Sequence, residues 1–353
     1  MKDRPSPSMP AAASKRPRRG SGRVTLAEVA AVAGVSAQTV SRVLNGPQNV
    51  PAATVDRVRA AIAQVGYVPN RMAGGLASGR SKLVAALVPA LASPVFQETI
   101  ESLIRSLAAN GYQLMLGESG YDDVDEVQLL ENLISRGPDG IVLTRVLQSG
   151  LARERLASSG IPVVETWDLT PDPVDMLVGF SHEQVGAGVA DLMIAHGIRQ
   201  PALVTGNDPR ARRRRQGYAR RFVERGCLAS VSDLPVAEVE APAPLGSGRR
   251  ALARLIDSGR AFDGVFCSTD MLALGVLMEA GARKLEVPGR LGVVGFGDLV
   301  FAADTTPALT TVRIDGRRMG QLAAQLIMQR AQGQAVAEPV HDIGFELVLR
   351  DSL

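Results

Sequence analysis

Gln38 and Arg42 lie four residues apart, with Ala37 and Ser41 beside them, on a short run from Ser36 to Asn45. In a helix these four share one face of small and hydrogen-bonding side chains. That combination at the start of a second helix suits the floor of a major groove, where side chains contact base edges. Val40 and Val43 point the other way, inward. In the preceding segment Thr25 can cap a first helix, and Glu28 three residues later completes a capping box. Leu26, Val29, Ala30 and Ala33 recur at i, i+3, i+4 and i+7 and give that helix one buried face. Gly34 is the turn, because glycine takes left-handed backbone angles without a Cβ penalty, and Ser36 caps the second helix. A helix–glycine–helix this short can also be a hairpin that only packs. The third element argues otherwise: Pro51 to Val65 reads as a helix with Val55, Val58, Ile62 and Val65 on one stripe and Gly66 as its stop.

Next comes Tyr67-Val68-Pro69-Asn70-Arg71-Met72-Ala73-Gly74-Gly75-Leu76-Ala77-Ser78-Gly79-Arg80. With this segment in view the chain resembles the lactose-repressor family of bacterial transcription regulators, over residues 23 to about 350. The resemblance implies a hinge helix after Tyr67-Val68-Pro69-Asn70 that folds on operator DNA and wedges a leucine, matched by Leu76, into the minor groove. Gly74-Gly75 departs from that pattern, since each mid-helix glycine costs about 0.5–1 kcal/mol relative to alanine. A hinge that is unstructured until DNA binds is therefore expected. The expected DNA-contacting set is Thr25, Ser36, Ala37, Gln38, Thr39, Ser41, Arg42 and Asn45 in the head, with Asn70, Arg71 and Leu76 in the hinge.

Charge divides the chain in the same place. Residues 1–82 hold 13 Lys+Arg against 3 Asp+Glu, so the whole-chain net of +3 conceals a basic head and an acidic remainder. A basic head binds phosphate and an acidic body avoids it. Residues 1–22 read as a disordered basic tail, either adding non-specific DNA affinity through Lys15-Arg16-Pro17-Arg18-Arg19 or serving as a solvated leader. They lack the apolar core of a signal peptide, and no run of apolar residues is long enough for a membrane span. Cys227 and Cys267 stand 40 positions apart, and with three histidines the chain offers neither a disulfide framework nor a zinc site. A bacterial cytoplasmic, nucleoid-associated protein without cofactor or metal is expected.

From Lys82 onward apolar strands and helices alternate. Leu83–Pro89 is a continuous apolar run, as a central parallel strand must be. Strands follow near 113–116, 140–144, 162–166, 176–180, 202–205, 264–267 and 292–296, with helices between them. Such alternation gives doubly wound parallel sheets. The expected fold is α/β: a three-helix helix-turn-helix head plus hinge helix, then two doubly wound subdomains of periplasmic-binding-protein type. The expected boundaries are 23–69 for the head, 70–81 for the hinge and linker, and 82–353 for an effector-binding and dimerisation core. No further heptad helix follows, so a homodimer is expected.

Ligand chemistry belongs at the carboxyl ends of those strands. Ser93 and Phe96 follow the first strand, Glu118 the second, Trp167 and Asp168 the strand at 162–166, Thr269 and Asp270 the strand near 265, and Phe296 and Asp298 the strand near 294. Phe96, Trp167 and Phe296 could wall a carbon chain, or simply be core. Glu118 and Asp168 are pocket acids or loop-surface charges, and Asp270 reads as structural. The run Arg210-Ala211-Arg212-Arg213-Arg214-Arg215 is mostly a solvated helix face. The resemblance singles out Arg214, three positions before Gly217, as the ligand-gripping arginine, which could clamp a carboxylate bidentately. Arg213 or Arg215 takes that place if the helix starts one residue later. The expected effector set is Ser93, Phe96, Glu118, Trp167, Arg214, Thr269, Phe296 and Asp298.

Two departures bear on the effector: Gly297 stands where neutral-sugar binders of the family keep an aspartate, and Thr269 where they keep an asparagine. Gly111–Leu116, Gly160–Glu165, Val178–Phe180 and Asp263–Cys267 are similar to the gluconate-utilisation repressors of the family. The resemblance implies a repressor of sugar-acid catabolism released by an effector of the gluconate or ketogluconate type. The alternatives are a global or purine- or neutral-sugar-responsive regulator of the same family and, from another class, a solute-binding transport receptor. An enzyme is not expected: there is no Gly-x-Gly-x-x-Gly after the first strand, no phosphate-cradling Gly-x-x-x-x-Gly-Lys loop and no Gly-x-Ser-x-Gly elbow. His182 and His196 have no sequence neighbours that suggest a relay.

Overall fold

The computed structural model describes residues 24–68, 80–120, 126–147 and 149–353. The expectations for the tail and for Asn70, Arg71 and Leu76 fall outside those residues. The chain divides into two compact units, Met1–Ser78 and Gly79–Leu353.

The first unit contains α1 (Leu26–Ala33), α2 (Ala37–Asn45) and α3 (Ala52–Val65). The capping box forms as its sequence dictates: Glu28 N–H reaches Thr25 Oγ1 at 3.4 Å, and Glu28 Oε2 accepts from Thr25 N–H at 2.6 Å. Gly34 closes α1 at φ 64° and Gly66 closes α3 at φ 64°, both left-handed. Val29, Val40 and Val58, one from each helix, are fully buried at the centre of the unit, with Ala30, Val43, Val55 and Tyr67 around them.

The second unit runs in chain order as β1 (Leu83–Val88), α4 (Gln97–Ala108), β2 (Gln113–Glu118), α5 (Glu126–Ile134), β3 (Gly140–Leu143), α6 (Gly150–Ser159), β4 (Val163–Thr166) and β5 (Met176–Gly179). It continues with α7 (His182–Ala195), β6 (Pro201–Gly206), α8 (Pro209–Glu224), β7 (Val236–Val239), α9 (Leu245–Asp257), β8 (Gly264–Cys267), α10 (Asp270–Ala282) and β9 (Gly292–Val294). Last come β10 (Thr311–Arg313), α11 (Gly316–Ala331), β11 (Val340–Asp342) and β12 (Glu346–Val348). One parallel sheet has the order β11-β5-β4-β3-β1-β2 and the other β7-β6-β8-β9, while β10 and β12 pair antiparallel. β1, β3, β4, β5, β6, β8 and β9 are buried along nearly their whole length, as central parallel strands covered by helices on both faces are.

The chain therefore crosses between two subdomains three times: after β5, after β10 and after β11. The simple alternation readable in the sequence stops at β9. It does not show that α11 and β11 return to the first subdomain, or that β12 goes back to pair with β10. The last residues are fixed rather than trailing, since Ser352 Oγ donates to the Val293 carbonyl at 2.7 Å and accepts from Thr310 N–H at 2.8 Å. The start of β1 is fixed too: Asp139 accepts from Ser81 N–H at 2.8 Å, Ser81 Oγ–H at 2.9 Å and Lys82 N–H at 3.0 Å.

Candidate DNA-reading face and effector cleft

On α2, Ser36 Oγ accepts from Thr39 N–H at 3.1 Å and so fills the helix's N-cap. Ala37, Gln38 and Arg42 are exposed, while Thr39 and Ser41 are half-buried, the Thr39 hydroxyl lying 2.9 Å from Ser36 Oγ. Val40 and Val43 anchor the opposite face in the core. Thr25 is committed to capping α1, and Asn45 ends α2. The exposed side of α2 thus carries Ala37, Gln38 and Arg42, and its other side is locked in the core.

The cleft of the second unit is built from loops at the carboxyl ends of strands in both subdomains, where open α/β sheets bind ligands. Close packing of α7 on α8 sets much of it. A Cβ on Gly186 would collide with the Arg214 carbonyl, and one on Gly217 with the Glu183 carbonyl, so only glycine permits this approach. The contact brings Arg214 onto His182, with Nη1 2.8 Å from Nδ1. Arg214 also donates from Nη2 to the Ser268 carbonyl at 3.2 Å and lies 4.2 Å from the centroid of the Phe296 ring. It is 4 % exposed.

His182 Nε2 lies 2.8 Å from the Trp167 carbonyl. A carbonyl only accepts and a guanidinium only donates, so Nε2 carries the proton and Nδ1 accepts from Arg214. Burial, followed by the nearby Arg214, Arg210 and Arg213 charges, holds the imidazole pKa well below its ordinary value, so it is neutral. Trp167 takes φ 67°, donates from Nε1 to Thr99 Oγ1 at 3.2 Å, and meets Phe96 edge-on at 5.0 Å and Phe180 at 5.8 Å between ring centroids. Phe96, Trp167, Phe180, His182 and Phe296 form one buried aromatic cluster spanning the two subdomains.

Two cavities flank that cluster. One, about 50 Å³, is lined by Arg145, Val146 and Asp168 of the first subdomain and by Asp208, Pro209, Arg210 and Arg213 at the start of α8. Arg213 Nη1 is 2.5 Å from Asp168 Oδ1. Arg210 lies 5.6 Å from the Phe96 ring centroid and donates to the Thr144 carbonyl. Arg145 faces Glu126 at 3.4 Å. Burial raises the Asp168 pKa, opposed by Arg210 and Arg213. The other cavity, about 280 Å³, is lined by Ser93 to Val95 on one side and by Gly206, Ser268 and Thr269 on the other. Asp208 borders both and caps α8 by accepting from Ala211 N–H at 3.0 Å.

Of the expected effector residues, Ser93 and Thr269 line a cavity, Thr269 also capping α10 by accepting from Leu272 N–H at 3.2 Å. Phe96, Trp167, Phe296 and Arg214 are buried and line neither cavity. Two others are committed elsewhere. Asp298 binds Arg313 Nε at 2.6 Å and Arg350 Nη2 at 2.7 Å, so the chain's return through β10 and beyond β12 takes up its carboxylate. Glu118 is exposed and accepts from Leu91 N–H at 3.2 Å, holding the loop after β1. Asp270 is structural as read: fully buried, it accepts from Thr311 Oγ1 at 2.6 Å and Leu299 N–H at 2.7 Å, and burial pushes its pKa up to about 6. Within the arginine run, Arg210 and Arg213 face the cavity and Arg215 points away toward Glu238 at 3.8 Å. The sequence reading passed over Arg145 and the partners of His182. Arg145 had a signal, two positions beyond the end of β3; His182 had none, because both partners are distant in sequence.

Known proteins share both units. The family description "Bacterial regulatory proteins, lacI family" matches residues 25–70, and a periplasmic binding protein-like domain matches residues 190–353. The HTH-type transcriptional regulator GntR of Pseudomonas aeruginosa is 36% identical over 337 residues, covering 95% of this chain and 97% of that protein. The chain belongs to the lacI family of bacterial regulatory proteins. It is a DNA-binding transcriptional regulator of the helix-turn-helix type. A Lacl family transcriptional regulator from Silicibacter pomeroyi superimposes with TM-score 0.84 at 30% identity, covering 93% of this chain and 99% of its own. The Lac repressor dimer bound to operator and the anti-inducer ONPF does so with TM-score 0.79 at 27% identity, covering 94% and 99%. Among the described residues of this lacI-family regulator, no helix is long and apolar enough to cross a membrane, and no group of three His, Cys, Asp or Glu is placed to hold a metal ion.

Proposed function

We propose that this regulator is a homodimeric repressor that reads a pseudo-palindromic operator through Gln38 and Arg42 and is released by a sugar acid of the gluconate or ketogluconate type. The observation carrying the effector class is the convergence of Arg145, Arg210 and Arg213 on one cavity at the start of α8. A helix N-terminus adds a favourable field for an anion there. Arg210 and Arg213 take the carboxylate, Asp168 accepts from sugar hydroxyls, and Pro89, Val146 and Pro209 give the cavity its apolar lining. The likeness of the middle of the chain to gluconate-utilisation repressors and its similarity to a regulator named GntR support the same class. The protein binds its effector without transforming it.

Asn70, Arg71 and Leu76 complete the operator contact in this reading, with residues 70–81 as hinge and 82–353 as effector-binding and dimerisation core. Effector binding must differ between the free and DNA-bound forms, since a ligand shifts an equilibrium only through differential affinity. Isothermal titration of the wild-type protein with gluconate, 2-ketogluconate, 5-ketogluconate, purines and neutral sugars tests the class. Binding of the acids alone supports it; binding of a purine or of a neutral sugar in their place overturns it.

A further inference from the structure

We infer that His182 is a positioning residue that ties the Trp167–Asp168 loop of the first subdomain to Arg214 on α8 of the second, and that this tie transmits effector occupancy between them. The inference rests on the reading of the Arg210–Arg213 cavity as the effector site.

Beside the bond from Arg210 to the Thr144 carbonyl, two further ties cross the cleft side by side, because Trp167 and Asp168 are consecutive and so are Arg213 and Arg214. The outer tie is Asp168 to Arg213, which borders the cavity. The inner one runs from the Trp167 carbonyl through the imidazole to Arg214, with His182 only 2 % exposed. A ligand carboxylate arriving at Arg213 competes with Asp168 and loosens the outer tie. The inner tie is closed to solvent and stays, so it fixes how a shift of the 167–168 loop moves α8. Its direction is set by chemistry: the guanidinium can only donate to Nδ1, and Nε2–H can only donate to the carbonyl. Only a neutral imidazole with its proton on Nε2 satisfies both ends. Arg214, Arg210 and Arg213 are the charges facing it, and all three oppose protonation. Trp167 holds a left-handed φ of 67°, a conformation that non-glycine residues keep only when their surroundings enforce it. The histidine bond to its carbonyl and the Thr99 bond to its indole supply that enforcement.

Each end of the tie can be cut separately. In His182→Asn the side-chain carbonyl reaches the Nδ1 position and still accepts from Arg214, but the bond to Trp167 is lost. In His182→Gln the amide reaches the Nε2 position and still donates to Trp167, but Arg214 loses its acceptor. The measurement is operator affinity with and without saturating gluconate, alongside gluconate affinity by calorimetry. Wild type is expected to lose operator affinity at least tenfold with gluconate. Both variants should bind operator within about threefold of wild type yet lose less than twofold with gluconate. A purely structural role would lower melting temperature and leave this ratio at the wild-type value, as would an irrelevant histidine; either result overturns the inference. If the variants do not fold, nitrogen-15 spectra of wild-type His182 decide. A proton on Nε2 that persists from pH 5.5 to 8, with both nitrogen resonances moved by gluconate, supports the tie; a titrating imidazole, or one indifferent to gluconate, overturns it. A wild type that answers none of the acids sinks the effector reading instead, a different outcome from variants that answer normally.

Discussion

Arg213 Nη1 and Asp168 Oδ1 meet at 2.5 Å across the cleft, the arginine being the fifth residue of α8 in the second subdomain and the aspartate lying in the loop after β4 of the first. The carboxylate side chain is 7% exposed and the arginine 36%. This is a pairing that an incoming acid can enter: the arginine has an open side, and the carboxylate, its pKa raised by burial, is the partner most relieved by losing charge.

The cavity arginines and the buried one should therefore behave differently. Arg210→Ala is expected to weaken gluconate binding at least tenfold, about 1.4 kcal/mol, with a melting temperature close to wild type. Arg214→Ala removes a buried group that serves His182, the Ser268 carbonyl and the Phe296 ring, and should cost about 2–4 kcal/mol of stability in denaturant unfolding. Equal stability loss in both variants would contradict the placement of these side chains.

Gln38→Ala and Arg42→Ala should each remove about 1–3 kcal/mol of discrimination at particular base pairs, measured by competition between operator and single-base variants. Unchanged relative affinity for operator and random DNA would rule out α2 as the reading helix.

Thr25→Ala should destabilise the head by about 0.5–2 kcal/mol, because it deletes one half of the capping box with Glu28. Amide exchange in α1 should quicken while exchange in β6 and β8 stays as in wild type. Equal quickening in both units would contradict their separate cores.

The head was legible because its signals are local: cap, glycine turn and apolar stripe all fall within a few residues. The cleft was legible only in outline. The strand ends and the arginine run were visible, but which arginine faces the cavity depends on the rotation of α8. Gly186 and Gly217 set that rotation by letting α7 approach, and Gly186, the helix partner of that contact, is 28 residues from Arg214 in the sequence. The partners of Asp298 are hidden for a similar reason: Arg313 and Arg350 arrive through β10 and from just beyond β12, outside the alternating pattern. His182 was unreadable because its two partners are 15 and 32 residues away.

Asp270 gives a pH dependence whose sign follows from its environment. Its folded pKa, about 6, lies above its ordinary value of 3.8, so between those values the native state holds more protons than the unfolded chain. Stability from this group is present below about pH 4 and falls as pH rises toward 6. Asp270→Asn should be less stable, since an amide keeps one acceptor oxygen for the two donors Thr311 Oγ1 and Leu299 N–H. The gap to wild type should narrow as pH rises from 4 to 6. A gap that widens over that range would contradict the raised pKa.

Release of this regulator from its operator by a sugar acid is the proposal on which the others depend. Its most direct test is fluorescence anisotropy on operator DNA selected in vitro with the full-length protein, titrated with and without millimolar gluconate or ketogluconate. Operator affinity should fall at least tenfold with one of these acids and not fall with purines or neutral sugars. Operator affinity unchanged by every acid, or lowered by a purine or a neutral sugar instead, would contradict it.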